Sequence, residues 1–144
     1  MARKKVVPPL DLMANVDLFE ELTQPELTKV AALAKPLAYA TDETITEEGT
    51  PGGRFHVIES GSVKVVANGR TRATLGPGDY FGELSLIDGE ARSASVIALE
   101  PLRTWSIAEW NFRPVLKDQG MITYKLLVKV CRRLRVAQKS AYTD

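Results

Sequence analysis

Glu83, Arg92 and Ser93 fall within one segment, Phe81-Gly82-Glu83-Leu84-Ser85-Leu86-Ile87-Asp88-Gly89-Glu90-Ala91-Arg92-Ser93-Ala94-Ser95-Val96. Their types divide the work of holding a small anionic ligand. Arg92 supplies a planar, permanently charged fork of donors, which suits a phosphate. Glu83 accepts from a hydroxyl group. Backbone N–H groups beginning at Gly82 point at a phosphate from the start of a short helix, and Ser93 adds hydroxyl and backbone donors beside Arg92. One negative phosphate, a ribose 2′-hydroxyl and a flat, mostly apolar base satisfy all of these together, which describes a cyclic nucleotide. Glu83 and Arg92 would also serve as a salt bridge lining an empty barrel, but the flanking Phe81-Gly82 and Ser93-Ala94-Ser95-Val96 favour the ligand. Gly82 allows a backbone conformation that a side chain would oppose, and Leu84 and Leu86 anchor the turn into the core. Arg92 is expected to have access to water when no ligand is bound.

The order Phe-Gly-Glu-Leu-small-Leu, a short loop, then Arg-small-Ala-small-Val resembles the phosphate-binding cassette of the cyclic-nucleotide-binding domain family. The match fixes several polar positions over residues 81–96, far more than a lone glycine motif does. One position departs: the family often has proline before the arginine, and here Ala91 stands there, which loosens the local backbone. The resemblance implies that Phe81, Gly82, Glu83, Leu84, Ser85, Arg92, Ser93 and Ala94 surround the ligand. Val65, with Val63, Ile58 and Ala73 as further barrel positions, is expected to face the base and ribose. A threonine at the place of Ser93 often accompanies guanine preference in the family. Serine there also occurs in the bacterial, cAMP-selective catabolite activator group, so the resemblance implies cAMP as the ligand, with cGMP as the alternative.

Other chemistries lack carriers. His56 is the single histidine, too few for the several histidines of a metal-binding cupin-type barrel, and it reads as a strand residue. Neither Ser85 nor Ser93 has a histidine nearby in sequence to act as a base, so no metal site and no catalytic function is expected. A single cysteine, Cys131, excludes an internal disulfide and fits a reducing, cytoplasmic setting. No apolar run reaches the length of a membrane span, and the basic Ala2–Val7 stretch lacks the apolar region of a secretory signal. The net charge of +1 gives no global pull towards nucleic acid. The distribution is uneven, however: residues 120–142 hold six basic residues and no acidic one.

The elements that must position the motif follow from periodicity. Residues 1–10 read as a flexible N-terminal segment and residues 11–144 as one domain. Within it, residues 11–36 are helical: Leu12, Met13, Val16, Leu18 and Phe19 recur at helical spacing, and Thr23 with Glu26 forms a capping box with Pro25 in the first turn. Lys35-Pro36 is expected to stop that helix. Residues 37–107 read as short strands, at 54–59, 62–67, 71–75, 93–99 and 102–107. Asn68-Gly69 is the strongest hairpin signal, and Gly76-Pro77-Gly78-Asp79 marks another turn. Strands this short and frequent argue for a barrel or sandwich. The family's fold, an eight-stranded jelly-roll barrel (a double-stranded β-helix), mainly β with helices at both ends, fits the count. Residues 108–144 return to helical period. A short helix is expected to end near Gly120, with its register disturbed by Pro114. A long one runs from Met121 to about Ala141 on a Leu126/Val130/Leu134/Ala137/Ala141 seam widened by Leu127 and Cys131.

Arg132-Arg133-Leu134-Arg135-Val136 resembles the dimerising helix of the catabolite activator group, at the same distance from Arg92. In that group threonine and serine follow and hold the adenine amine. Here Ala137 and Gln138 follow. Gln138 is expected to reach a base edge, and Arg133 is counted with it as a helix contribution to the site. The seam calls for a partner, either a second copy in a parallel homodimer or the nucleotide beneath a folded-back lid. Crowding of Lys125, Lys129, Arg132, Arg133 and Arg135 is expected to weaken a dimer at low salt. The basic face itself reads either as solvated or as a partner-binding surface. The chain ends near where the activator group begins its helix-turn-helix domain, so no direct DNA-binding module is expected. The first reading is a stand-alone cyclic-nucleotide receptor acting as a regulatory module on an effector protein that the sequence does not identify. The alternatives are a sensor fragment of a larger regulator, channel or enzyme, and a jelly roll that has lost its ligand and serves as an interaction surface.

Overall fold

The computed structural model describes residues 9–51 and 53–143. Most of the segment expected to be flexible, residues 1–8, lies outside the described residues. Two short helical turns come first, α1 (Leu10–Ala14) and a 3-10 turn at Asp17–Phe19, followed by α2 (Gln24–Ala31). The capping box is present in both directions: Thr23 N–H donates to Glu26 Oε1 at 2.8 Å, and Glu26 N–H donates to Thr23 Oγ1 at 3.4 Å. The helix stops earlier than Lys35-Pro36, which instead open the first strand. Pro36 is tolerated there because that strand is the edge of its sheet, where a missing N–H can face away from the ladder.

Eight strands follow: β1 (Lys35–Tyr39), β2 (Thr44–Thr46), β3 (Arg54–Ser60), β4 (Val63–Ala67), β5 (Arg70–Leu75), β6 (Tyr80–Phe81), β7 (Ser95–Ala98) and β8 (Leu102–Ala108). They form two antiparallel four-stranded sheets in the orders β1-β8-β3-β6 and β2-β7-β4-β5. The arrangement is a jelly roll whose two sheets are not closed into a continuous barrel. The β4–β5 hairpin turns through Asn68 (φ +51°) and Gly69 (φ +73°), the paired positive angles that a tight two-residue loop needs. Helix α3 (Glu83–Asp88) interrupts the strands inside the cassette, and α4 (Glu109–Asp118) and α5 (Gly120–Thr143) end the chain. Helix α4 runs through Pro114 to Asp118.

The strand β3 is buried on both faces because it lies between two cores. Phe55 and Val57 join Met13, Phe19, Val30, Ile107, Phe112, Ile122 and Leu126 in a core between sheet and helices, where Phe19 meets Phe55 edge-on at 5.7 Å. Ile58 belongs to a second core between the sheets with Val63, Phe81, Val96 and Leu102. The period-two alternation of a strand delivers successive residues to opposite cores. Helix α5 is therefore tied to the jelly roll by Ile122 and Leu126. Leu134, assigned to the same seam by its spacing, is instead exposed, as is every residue from there to Tyr142.

Candidate nucleotide-binding site

Helix α3 and the loop leading to β7 close one side of a cavity of about 280 Å³, near the lower end of the range for small-ligand pockets. Nine of the residues expected at the site line it: Val65 from β4, Phe81 from β6, Gly82, Glu83, Leu84 and Ser85 from the start of α3, and Arg92, Ser93 and Ala94 from the loop. Arg133 and Gln138 are not in the lining. Gln138 is exposed on α5, and Arg133 reaches the site's edge through Glu83. Val63 and Ile58 are buried in the inter-sheet core, and Ala73 is exposed on β5. Leu86 anchors α3 in the core as expected, but Leu84 is exposed and borders the cavity. Thr46 of β2 also lines the cavity, and nothing in its local sequence marks it. Asp88, Glu90, Ala91 and Val96 complete the wall from within the motif itself.

Arg92 is buried, with 8% of its surface exposed, contrary to the expectation of free access to water. The loop that carries it is stitched to the β2–β3 connection: Arg92 N–H donates to Thr50 C=O, and Gly49 N–H donates to Arg92 C=O, both at 2.9 Å. Its guanidinium donates through Nη1 to the carbonyl of Gly82 at 3.4 Å and through Nη2 to the carbonyl of Arg54. Two glycines make this placement possible. A Cβ on Gly53 would lie 2.6 Å from Nη2, and one on Gly82 would lie 2.5 Å from Nη1, and both residues hold positive φ, +118° and +82°. Burial pulls the guanidinium below its ordinary pKa, and the charges of Glu109 and Glu83 offset part of that pull. No carboxylate bonds to it among the described residues. A buried cation satisfied only by carbonyl dipoles is suited to take an anion, because a phosphate supplies the missing counter-charge and better acceptors together.

Glu83 opens α3, with its carboxylate at the cavity and Oε1 3.4 Å from Arg133 Nη1. Arg133 is shared: its Nε and Nη2 donate to Asp17 Oδ2 at 2.9 Å, and Nη2 lies 3.5 Å from the Tyr80 hydroxyl. Behind the cavity, His56 stacks on Phe81 with ring centres 4.9 Å apart, and its Nδ1 lies 3.0 Å from Thr104 Oγ1. Burial, assisted by the charges of Arg92 and Arg54, pushes its pKa down to about 3, so the ring is neutral at ordinary pH. A larger hollow of about 410 Å³ meets Arg92 from the side of Tyr39, Arg54 and Trp110. Arg92 borders both, and the other cassette residues that line a cavity lie on the smaller one.

Comparisons with known proteins agree with this geometry. The family model of the cyclic nucleotide-binding domain matches residues 36–119. The chain is 35% identical over 107 residues to a cGMP-dependent protein kinase of Plasmodium berghei, covering 74% of this chain and 12% of the kinase. It is 32% identical over 133 residues to a CRP-like cAMP-activated global transcriptional regulator of Mycobacterium tuberculosis, covering 87% of this chain and 58% of the regulator. It thus spans only part of the length of these curated relatives. Among solved structures, the N-terminal domain of a transcriptional regulator from Streptomyces coelicolor A3(2) superposes with a TM-score of 0.80 at 30% identity, over 90% of this chain and 94% of that one. The chain belongs to the cyclic nucleotide-binding domain family.

Proposed function

We propose that this domain is a cAMP receptor that uses Arg92 for the cyclic phosphate and Glu83 for the ribose 2′-hydroxyl, and that signals by moving α4 and α5. The observation that carries the reading is the buried Arg92 guanidinium, held at the cavity wall by two carbonyls and flanked by two glycines. The preference for cAMP rests on Ser93 beside it, and on the longer match to a regulator named for cAMP than to a kinase named for cGMP. Ligand shifts α4 and α5 only by as much as it prefers one of their arrangements. Side-by-side calorimetric titration with cAMP and cGMP tests the assignment. Tighter binding of cAMP is expected, and tighter binding of cGMP overturns the choice of base.

A second copy of the chain is the partner that α5 fits best. Its own domain takes Ile122, Leu126 and Val130. Tyr124, Leu127, Cys131 and Leu134 lie on an outward stripe at alternating spacings of three and four, the pattern of a two-stranded coiled coil. Four of the five cations expected to crowd the helix and oppose pairing find acids within the molecule. Lys125 pairs with Glu26, Lys129 with Asp17 and Glu20, Arg132 with Glu21, and Arg133 with Asp17 and Glu83. A parallel in-register pair brings the two Cys131 thiols face to face, so mild oxidation is expected to give a disulfide-linked dimer. Leu127→Lys with Leu134→Lys should abolish it. A monomer in sedimentation with and without cAMP overturns the dimer.

A further inference from the structure

The hollow of about 410 Å³ on the other side of Arg92 has no counterpart in the cassette motif. It shares a wall with the nucleotide cavity. Arg92 and Thr46 line both, and His56 on this side stacks on Phe81 on the other, with ring centres 4.9 Å apart. The carbonyls of Gly82 and Arg54 take up only part of the fork of donors on Arg92, so N–H groups are left for an anion. A second cation, Arg54, also lines the hollow, and among the described residues no carboxylate pairs with it. Its guanidinium lies 5.2 Å from the centre of the Trp110 ring, which stands 61% exposed in the first turn of α4. Tyr39 meets His56 edge-on at 6.0 Å and adds a further aromatic face. Glu47 lines the hollow as well, but it is exposed, where water and salt screen its charge.

We propose that this hollow is a second ligand site, for a small aromatic carboxylate, and that its occupant and an anion in the cassette cavity weaken each other through the shared Arg92 guanidinium. The two oxygens of a carboxylate match the forked donors of Arg54 and Arg92. Trp110 and Tyr39 offer faces and edges to a flat ring, and the volume lies within the range of small-ligand sites. An anion on one side of Arg92 neutralises the charge that an anion on the other side would meet. The coupling is therefore negative, and it is reciprocal. The site itself does not depend on the cyclic-nucleotide reading, because its lining and its ligand are separate from those of the cassette.

The test is an amide and indole NMR titration of the protein with benzoate at constant ionic strength. Benzyl alcohol keeps the ring without the charge, and acetate keeps the charge without the ring. Benzoate is expected to give saturable shifts that are larger at Gly53, Arg54 and the Trp110 indole than at Ser85 and Ser93. Both controls should bind at least about tenfold more weakly. Trp110→Ala, at an exposed position, should weaken benzoate by about three- to tenfold, and Arg54→Gln by about tenfold or more. No saturable shift, shifts centred on Ser85 and Ser93, or equal binding of either control overturns the site. Calorimetry with cAMP then reads the coupling as the ratio of Kd with and without saturating benzoate. A rise of about fivefold or more is expected, and a ratio near one overturns the coupling. A protein that fails to bind cAMP or cGMP but binds benzoate in this hollow overturns the functional reading alone. One that binds cAMP but not benzoate overturns this inference alone.

Discussion

Arg92 and Arg133 both reach the start of α3 and meet opposite surroundings. Arg92 is buried and, among the described residues, bonded only to carbonyls. Arg133 is partly exposed and pairs with two carboxylates, Asp17 and Glu83. The same contrast extends to their neighbourhoods. The cassette wall holds its cation in a glycine-lined socket without a bonded acid, while the basic face of α5 finds Asp17, Glu20, Glu21 and Glu26 waiting on the N-terminal segment. A cation whose counter-charges are already in place stitches the molecule together. A buried cation without one is poised to bind an anion. The basic run of α5, read from sequence as solvated or partner-binding, is therefore largely an intramolecular seam.

The contrast breaks most directly at Arg92. Arg92→Ala removes the counter-charge of a buried phosphate, which costs about 2–5 kcal/mol, or roughly thirty- to several-thousand-fold in affinity. Calorimetry with cAMP reads this out, and affinity within threefold of wild type would return Arg92 to a structural role. Arg133→Ala should change affinity far less.

Acid separates the two regions next. His56 behind the cavity has a folded pKa of about 3 against an ordinary value of 6.5. The unfolded chain therefore takes up its proton first, and stability falls by about 1.4 kcal/mol per pH unit from roughly pH 6.5 downward. Chemical denaturation from pH 7 to 4 should show this slope, and His56→Asn should flatten it. A slope that persists in the variant assigns it elsewhere.

Glu83 links the regions, since it faces the cavity and also pairs with Arg133. A site built around the 2′-hydroxyl leaves a buried acceptor unpaired when that group is missing. The 2′-deoxy form of cAMP is expected to bind at least about tenfold more weakly. Equal affinity for the two nucleotides removes Glu83 from the ribose.

The α5 seam should respond least. Slight burial pushes the Asp17 carboxyl up, but hydrogen bonds from Lys129 and Arg133 outweigh it and hold the pKa below 3.8. The Lys125 ammonium likewise holds Glu26 below 4.5. Lowered carboxylate values give stability that is present above the unfolded pKa and is lost as pH falls through the folded one. Proteolysis of α5 is thus expected to quicken only below about pH 4, well after the His56 effect begins. Glu21→Gln, at an exposed pair, should shift stability by no more than about 0.5 kcal/mol in thermal melts.

Features set by neighbouring residues were legible in the sequence. The capping box needs only Thr23 and Glu26, the hairpin only Asn68-Gly69, and the cassette's own residues line the cavity because they are consecutive along one turn and its loop. The helix stop was misplaced because whether Pro36 breaks a helix or opens a strand depends on the edge position that β8 gives it. Leu84 and Leu86 look alike in the chain, and only the packing of α3 sends one outward and the other into the core.

The amino-acid sequence by itself determined the family and the jelly roll, because short-range patterns of charge, glycine and apolar period encode them. Tertiary structure alone decided that Thr46 joins the cavity, that α5 divides its apolar residues between an inward and an outward stripe, and that its basic face meets the acids of the N-terminal segment. Those outcomes depend on groups far apart in the chain meeting in space, as Lys125 and Arg133 do with Glu26 and Asp17 about a hundred residues away. No local period specifies such a meeting, because it is fixed by how the whole chain packs.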